Sequence, residues 1–498
     1  MKTMDFLKHY GLNANPFAEE DAQNDSVFKE SCIKSTRHPC WDKLYGNPAE
    51  AATSLVFGEK GSGKTALRLQ MIRELTLYNS DHRTNRPIVV DYSDLNLFID
   101  NFRDRKPRRW KAAKVLGRFQ LQDHLDAILS LAVTQLVDRS LSFTRNSHPA
   151  AIDSDTLDLS KLTLSQFRDL LSLAIVYDNS RGESPLLRFE TLAKKNHFFN
   201  WNSWFKSIRE FALGIGGTIM FFALFIHFDL WHWFYWFIAL TFVAWLPWLL
   251  KAGCRYWKTR SIRSSVKVLR QEKGNVFTAL MKFPASEYSA ICFPRGNNVE
   301  SRYELLERFL AIADAVGFSG LLVLMDRVDE PHLVNGSPEL MKLIVWPLMD
   351  NRLLKHEKLG FKMLLPRELY YCIEKEGPAF MQRSRTDKQN LIPSLAWTGE
   401  SLRELADARM AACADEETKV SVLDFFDPAI DRQRIIDAFA QLRVPRHLFK
   451  FLYSLVSDHT ISCSGDNPSW KISVAQFESS LATYLRNRDA DDRKMGAF

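Results

Sequence analysis

The stretch TSLVFGEKGSGKTALRLQMIREL, residues 53–75, sets a short β-rich apolar run before a glycine-rich turn and a helical pattern after it. Its centre, GEKGSGKT at 58–65, satisfies G-x-x-x-x-G-K-[ST]. Each residue type there has a physical reason. Gly58, Gly61 and Gly63 lack a Cβ, so backbone N–H groups can turn toward phosphate oxygens. Glu59, Lys60 and Ser62 complete the loop. Lys64 would bring a point charge to the β- and γ-phosphates, and the Thr65 hydroxyl can ligate Mg²⁺. The helix that begins here adds the positive end of its dipole. The expected ligands are ATP and Mg²⁺.

Working outward, RPIVVDY (86–92) reads as a second buried strand. GLLVLMDRVDEP (320–331) is an apolar strand ending in acids, the form of a Walker B segment. Asp326 at that strand end is expected to hold the Mg²⁺ shell, directly or through water. Many ATPases place a second acid immediately after this Asp to orient water, but Arg327 stands here. Asp329 and Glu330 are the nearest substitutes as catalytic base, with Glu59 a remoter one. GFKMLLPRELY (360–370) resembles the next parallel strand. Arg367, Arg383 and Arg385 follow it, and each is either a solvated charge or a finger toward a neighbouring subunit's nucleotide. In RVPRHLFKFLYSLV (443–456), Pro445 stands at a helix start and Arg446 in its first turn.

The middle of the chain has another character. From Phe211 to Leu250 the one formally charged residue is Asp229, flanked by His227 and His232. Two spans are expected, Phe211–Phe228 and Trp231–Leu250, each about long enough to cross a ~30 Å hydrocarbon core at ~1.5 Å per residue. HFDLWH between them reads as a turn, giving a transmembrane hairpin. Eight of the 13 Trp lie between 201 and 257, as an aromatic belt requires. Lys206 and Arg209 precede the hairpin, and Lys251, Arg255, Lys258, Arg260, Arg263, Lys267 and Arg270 follow it. The positive-inside rule then places both termini and the nucleotide-binding core in the cytoplasm. Ala212 and Gly216 form a small-xxx-small pair for close helix approach.

The remaining composition fits this reading. The 498 residues carry a net charge of +7, and seven dispersed Cys without a metal-knuckle spacing suit a reducing compartment. The basic excess clusters in RDRKPRRWKAAKVLGR (103–118), which suits anionic lipid, nucleic acid or a solvated face. No G-x-S-x-G or H-E-x-x-H motif competes with the phosphate loop.

Several of these residues carry a family resemblance. GEKGSGKT, LLVLMDRVDE and VPRHLFKFL look like the ATPase core and lid of the AAA+/STAND group, including origin-recognition-type ATPases. YGLNANPF (10–17) resembles the start of secretion-type ATPases, and a hydrophobic hairpin between Walker A and Walker B is similar to KAP NTPases. The resemblance implies that Arg446 is a lid arginine sensing γ-phosphate. Arg327 departs from the two adjacent acids of KAP proteins.

The expected fold class is α/β, a P-loop NTPase parallel sheet flanked by helices, with an inserted transmembrane hairpin and a C-terminal helical lid. The expected divisions are an N-terminal segment (1–50), the first part of the core (51–100), a helical insertion (101–210), the hairpin (211–250), a returning stalk (251–300), the second part of the core (301–400) and the lid (401–498). The expected function is a membrane-anchored ATP-binding switch, hydrolysing ATP, in signalling or phage defence. The alternatives are a membrane-tethered DNA-binding ATPase and a subunit of an oligomeric transport or secretion complex. Expected partners are the lipid bilayer, further copies of the chain and a membrane protein, with nucleic acid as the minority reading.

Overall fold

The computed structural model describes residues 2–141, 157–180, 184–195, 201–227, 234–267, 273–283, 287–288, 290–384, 390–415, 420–463 and 469–496. It is mostly helical around one parallel sheet of β1 (Ser54–Gly58), β2 (Arg86–Asp91), β3 (Phe318–Met325), β4 (Leu359–Pro366) and β5 (Asn390–Ile392). The strand order is β2-β3-β4-β1-β5. β1 pairs with β4 from Ser54↔Lys362 to Gly58↔Pro366, and on its other side with β5. Both β1 and β4 are buried throughout. Strands covered on both faces must read as near-continuous apolar runs, and these do apart from Ser54 and Lys362. The α/β class expected from the sequence is observed.

The chain divides into two compact units. The first comprises Met1–Tyr78, Asp91–Leu95 and Leu322–Phe498. In it the helices Gly399–Cys413, Arg432–Leu442, Pro445–Ser462 and Val474–Gly496 share a core with the N-terminal helix Thr3–His9. Phe6 packs edge-on against Phe425 at 5.3 Å between ring centroids. Pro445 occupies the first turn of its helix, where a missing N–H costs nothing.

The second unit comprises Asn79–Val90 and Asn96–Leu321. Within the helical insertion expected at 101–210 stand the helices Leu121–Leu141 and Leu164–Tyr177, the latter started by a Thr163–Gln166 capping box. Three of its buried carboxylates are paired with arginines: Asp126 with Arg302, and both Asp178 and Asp138 with Arg188. The basic stretch is partly engaged with itself. Arg103 donates to the carbonyls of Arg108 and Trp110, and Lys114 sits over the Trp110 ring at 4.6 Å. Arg108, Arg109, Lys111 and Arg118 are exposed.

Two long helices in this unit, Trp201–His227 and Phe234–Ser265, pack antiparallel. Gly214 lies against the Trp245 ring and Gly217 against Ala244, so close that an added Cβ would meet either at 3.0 Å. Trp245 Nε1 donates to Thr218 Oγ1 at 3.0 Å. The small residues at the contact are therefore Gly214 and Gly217. Gly216, expected there, has nothing within 4 Å.

Of the two membrane crossings expected, the structure supports one. Among the described residues one helix, Tyr235–Ser265, is long and apolar enough to span a bilayer. Its neighbour is the helix Trp201–His227, whose described apolar stretch is Phe211–Leu224. Large apolar side chains nonetheless point outward from both, Leu213 at 66% and Val243 at 60% exposure among them. Asp229, His232 and Arg270 lie outside the described residues.

Lys362 is the unusual charge of the first unit's sheet. It sits in β4 at 1% exposure and donates to the Leu44 carbonyl at 2.7 Å and the Ser54 hydroxyl at 3.0 Å. Burial brings its pKa down to about 8. The folded chain thus releases this proton near pH 8, while an unfolded lysine holds it to about 10.4. Between those values the unfolded chain binds more protons, so raising the pH stabilises the fold. Relative to Lys362→Met, the wild type should gain up to about 3 kcal/mol from pH 8 to 10.4, read by urea unfolding across that range.

Candidate functional site

Between the end of β1 at Gly58 and the helix that starts at Lys64, the chain reverses with Gly61 at φ +87° and Gly63 at φ +95°. Glycine adopts that left-handed region without a steric penalty. At Gly61 the space is also closed, since a Cβ would come within 2.5 Å of the Arg446 Cβ. Arg446 N donates to the Gly61 carbonyl at 3.3 Å, and Trp397 Nε1 to the Ser62 carbonyl at 2.9 Å. Lys64 folds over its own loop, its Nζ donating to Gly58 O at 2.8 Å and Glu59 O at 2.9 Å. Burial lowers the Lys64 pKa, opposed first by Asp326 and then by Asp329.

Thr65 Oγ1 donates to Asp326 Oδ2 at 2.9 Å. Asp326 follows β3 and is 1% exposed. Burial pushes its carboxyl up, opposed by the Arg68 guanidinium and the Thr65 hydroxyl. Past Asp326 the backbone turns through Arg327 at φ +58°, which costs a side-chain-bearing residue ~1–2 kcal/mol. The Arg327 guanidinium lies 3.4 Å from Glu330 and 3.5 Å from Asp21. Burial raises the Glu330 pKa, with Arg327 opposing.

One cavity gathers most of the residues expected from the sequence. Lys60, Gly61, Gly63, Lys64 and Thr65 line it, with Asp326, Asp329, Glu330 and Arg446. Gly58, Glu59 and Ser62 belong to the loop and not to the cavity wall. Glu59 instead pairs with Arg367 of the same chain. Arg383 sits over the Phe380 ring, and Arg385 lies outside the described residues. All seven cysteines are free thiols. Among the described residues no group of three His, Cys, Asp or Glu side chains could hold a metal. One hydroxyl and one buried carboxylate do fit Mg²⁺, which keeps waters and takes few protein oxygens.

Sequence reasoning missed the N-terminal segment. Asp25, Phe28, Cys32 and His38 line the same cavity, as does Trp397. Arg409 fastens this segment. Its guanidinium is paired with Asp25, its Nε donates to Pro16 O at 2.6 Å, and it covers the Phe449 ring at 4.5 Å. His38 Nε2 lies 3.2 Å from the Ala396 carbonyl, and burial lowers its pKa, so the ring is neutral at pH 7. YGLNANPF was the nearest signal in the sequence; it contains Pro16, which Arg409 holds, but none of the cavity-lining residues.

The chain matches no family model, no curated protein and no solved structure. Its site must therefore be understood from its own geometry.

The Arg409–Asp25 pair is nearly inaccessible, at 4% and 3% exposure of the two side chains. Arg409→Met strands a buried carboxylate and should cost roughly 3–5 kcal/mol in urea unfolding followed by tryptophan fluorescence. Adding Asp25→Asn should return part of that loss.

Proposed function

We propose that the chain is a membrane-associated, ATP-binding P-loop NTPase that works as a conformational switch. The observation that carries this reading is the 2.9 Å bond between Thr65 and Asp326. A hydroxyl from a glycine-rich loop meets a buried acid beside a half-buried lysine, outside the carboxyl ends of parallel strands. Open α/β sheets bind their ligands at that edge.

Each residue then has a task. Backbone N–H groups of residues 59–65 cradle the phosphates. Lys64 exchanges the Gly58 and Glu59 carbonyls for phosphate oxygens. Thr65 and Asp326 hold the metal, and bound Mg²⁺ supplies charge to neutralise the β- and γ-phosphates. The Arg446 Nε is buried without a hydrogen-bond partner, so a γ-phosphate offers what it lacks. Because Arg446 also touches Gly61, phosphate binding there pulls on the C-terminal helices, which act as the lid. Asp329 and Glu330 are placed to orient water once Arg327 releases Glu330. Turnover is accordingly slow, and the bound state is long-lived.

The membrane part follows from chain direction. β1 precedes the two long helices and β4 follows them, yet the two strands pair. Both ends of the hairpin therefore lie on the same side of any bilayer it enters, and the flanking basic residues favour the cytoplasmic side. Its outward apolar side chains need a hydrocarbon solvent. The charges that follow, Lys251, Lys258, Arg260 and Arg263, are exposed beside Trp257 and suit an anionic interface. The resemblance to KAP and STAND proteins points to signalling or phage defence, with self-association as the output.

Lys64→Ala should weaken binding of a fluorescent ATP analogue about 10- to 100-fold while leaving the circular dichroism spectrum intact. Absence of binding by the wild type would sink the nucleotide reading. Reversing Lys258, Arg260 and Arg263 to Glu should lower co-sedimentation with anionic vesicles more than with neutral ones, and an equal effect on both would remove the interfacial role.

A further inference from the structure

Arg68 has no place in the phosphate-loop motif, yet it is a buried charge, 4% exposed, against Asp326 of the cavity wall. It lies three residues after Thr65, on the same face of the helix Lys64–Asp81. Its Nη1 donates to both oxygens of Asp91, at 2.8 and 2.7 Å, and to the Ser93 hydroxyl. Its Nε lies 3.5 Å from Asp326 Oδ2, the oxygen that also accepts from Thr65. That Nε makes no hydrogen bond. One guanidinium thus stands between two carboxylates at the ends of β2 and β3.

We infer that Arg68 is a built-in counter-cation that keeps free divalent metal off Asp326 until a polyphosphate is present. The inference rests on the reading of the cavity as an ATP–Mg²⁺ site. Without the guanidinium, Asp91, Asp326 and the hydroxyls of Thr65 and Ser93 form an oxygen set of the kind that attracts hard divalent cations. With it, a dication arriving alone at Asp326 meets two fixed positive charges, Arg68 and Lys64, in a poorly screened interior. A nucleotide's phosphates offset that repulsion, so the metal enters together with the nucleotide. Arginine suits the task better than lysine. Its fork satisfies Asp91 while its charge stays on at any physiological pH. The bare 3.5 Å contact to Asp326, with no hydrogen bond, leaves that carboxylate free to turn to a stronger ligand. Arg68 is a positioning residue here, since it acts through Asp326. A merely structural Arg68, tying the helix to the end of β2, would leave metal affinity unchanged on removal.

The test is Mn²⁺ binding to the full-length protein without nucleotide, followed by the paramagnetic resonance signal of free Mn²⁺. Wild type and Arg68→Lys should bind weakly, and Arg68→Gln about tenfold or more tightly. The gap should shrink when ADP is added, because its phosphates replace the missing restraint. Equal Mn²⁺ affinity for wild type and Arg68→Gln overturns the inference. Should Arg68→Gln fail to fold around an unpaired Asp91, the pair Arg68→Gln with Asp91→Asn removes both charges, and it too should bind Mn²⁺ more tightly than wild type. ATP-analogue binding in EDTA separates the two failures. A wild type that binds no nucleotide overturns the reading of the cavity, whereas normal nucleotide binding with equal Mn²⁺ affinities overturns the guard alone.

Discussion

Parallel pairing of β1 with β4 sets Ser54 beside Lys362, 308 residues apart in the chain. Closing so long a loop is less costly than its length suggests, because the entropy grows with the logarithm of loop size, about 0.6 kcal/mol per doubling. A fold that has closed the sheet around a hundred residues can therefore close it around three times as many. The strand ends then decide what meets what. Gly58 delivers the glycine-rich turn, and Pro366 delivers Arg367 beside it, which is how Glu59 finds a partner from far along the chain. The acid after β3 reaches Thr65 by the same logic, through the order of strands and not through nearness in sequence.

The charges around the cavity are already matched to one another. Lys64 holds carbonyls, Arg68 holds Asp91, Arg327 holds Asp21 and Glu330, and Arg409 holds Asp25. An anion entering such a site exchanges partners. Each exchange moves an element: the loop through Lys64, the turn after β3 through Arg327, the N-terminal segment through Asp21. Matching of this kind lets a pocket rich in cations persist without a ligand, since a buried charge left unpaired would be far more costly.

What could be read from the sequence was whatever chemistry writes locally. Gly61, Gly63, Lys64 and Thr65 stand within five positions; the two glycines take left-handed φ angles, and Thr65 reaches Asp326. Asp326 was legible because an apolar strand that ends in an acid is a short pattern. Arg68 and Arg409 were not legible. Their meaning lies in Asp91, Asp326 and Asp25, which no spacing rule connects to them. The left-handed turn at Arg327 was invisible for a different reason, since nothing in its side chain asks for that conformation. The hairpin was legible in composition but less so in extent. Apolar residues announce a nonaqueous environment, while how far a helix can reach depends on where it stops, and the small residues at its contact proved to be Gly214 and Gly217.

Placing the hairpin between β1 and β4 also orders events on the ribosome. At about 5–20 residues per second, synthesis from Gly58 to Leu359 takes roughly 15–60 s. During that interval β1 and its glycine loop are complete but have no β4 to pair with. The apolar helices emerge within the same interval, ahead of the sheet. Whatever receives them, bilayer or targeting factor, must do so before the cavity beside Thr65 and Asp326 exists. Delivery of the nascent chain therefore cannot depend on anything bound in that cavity.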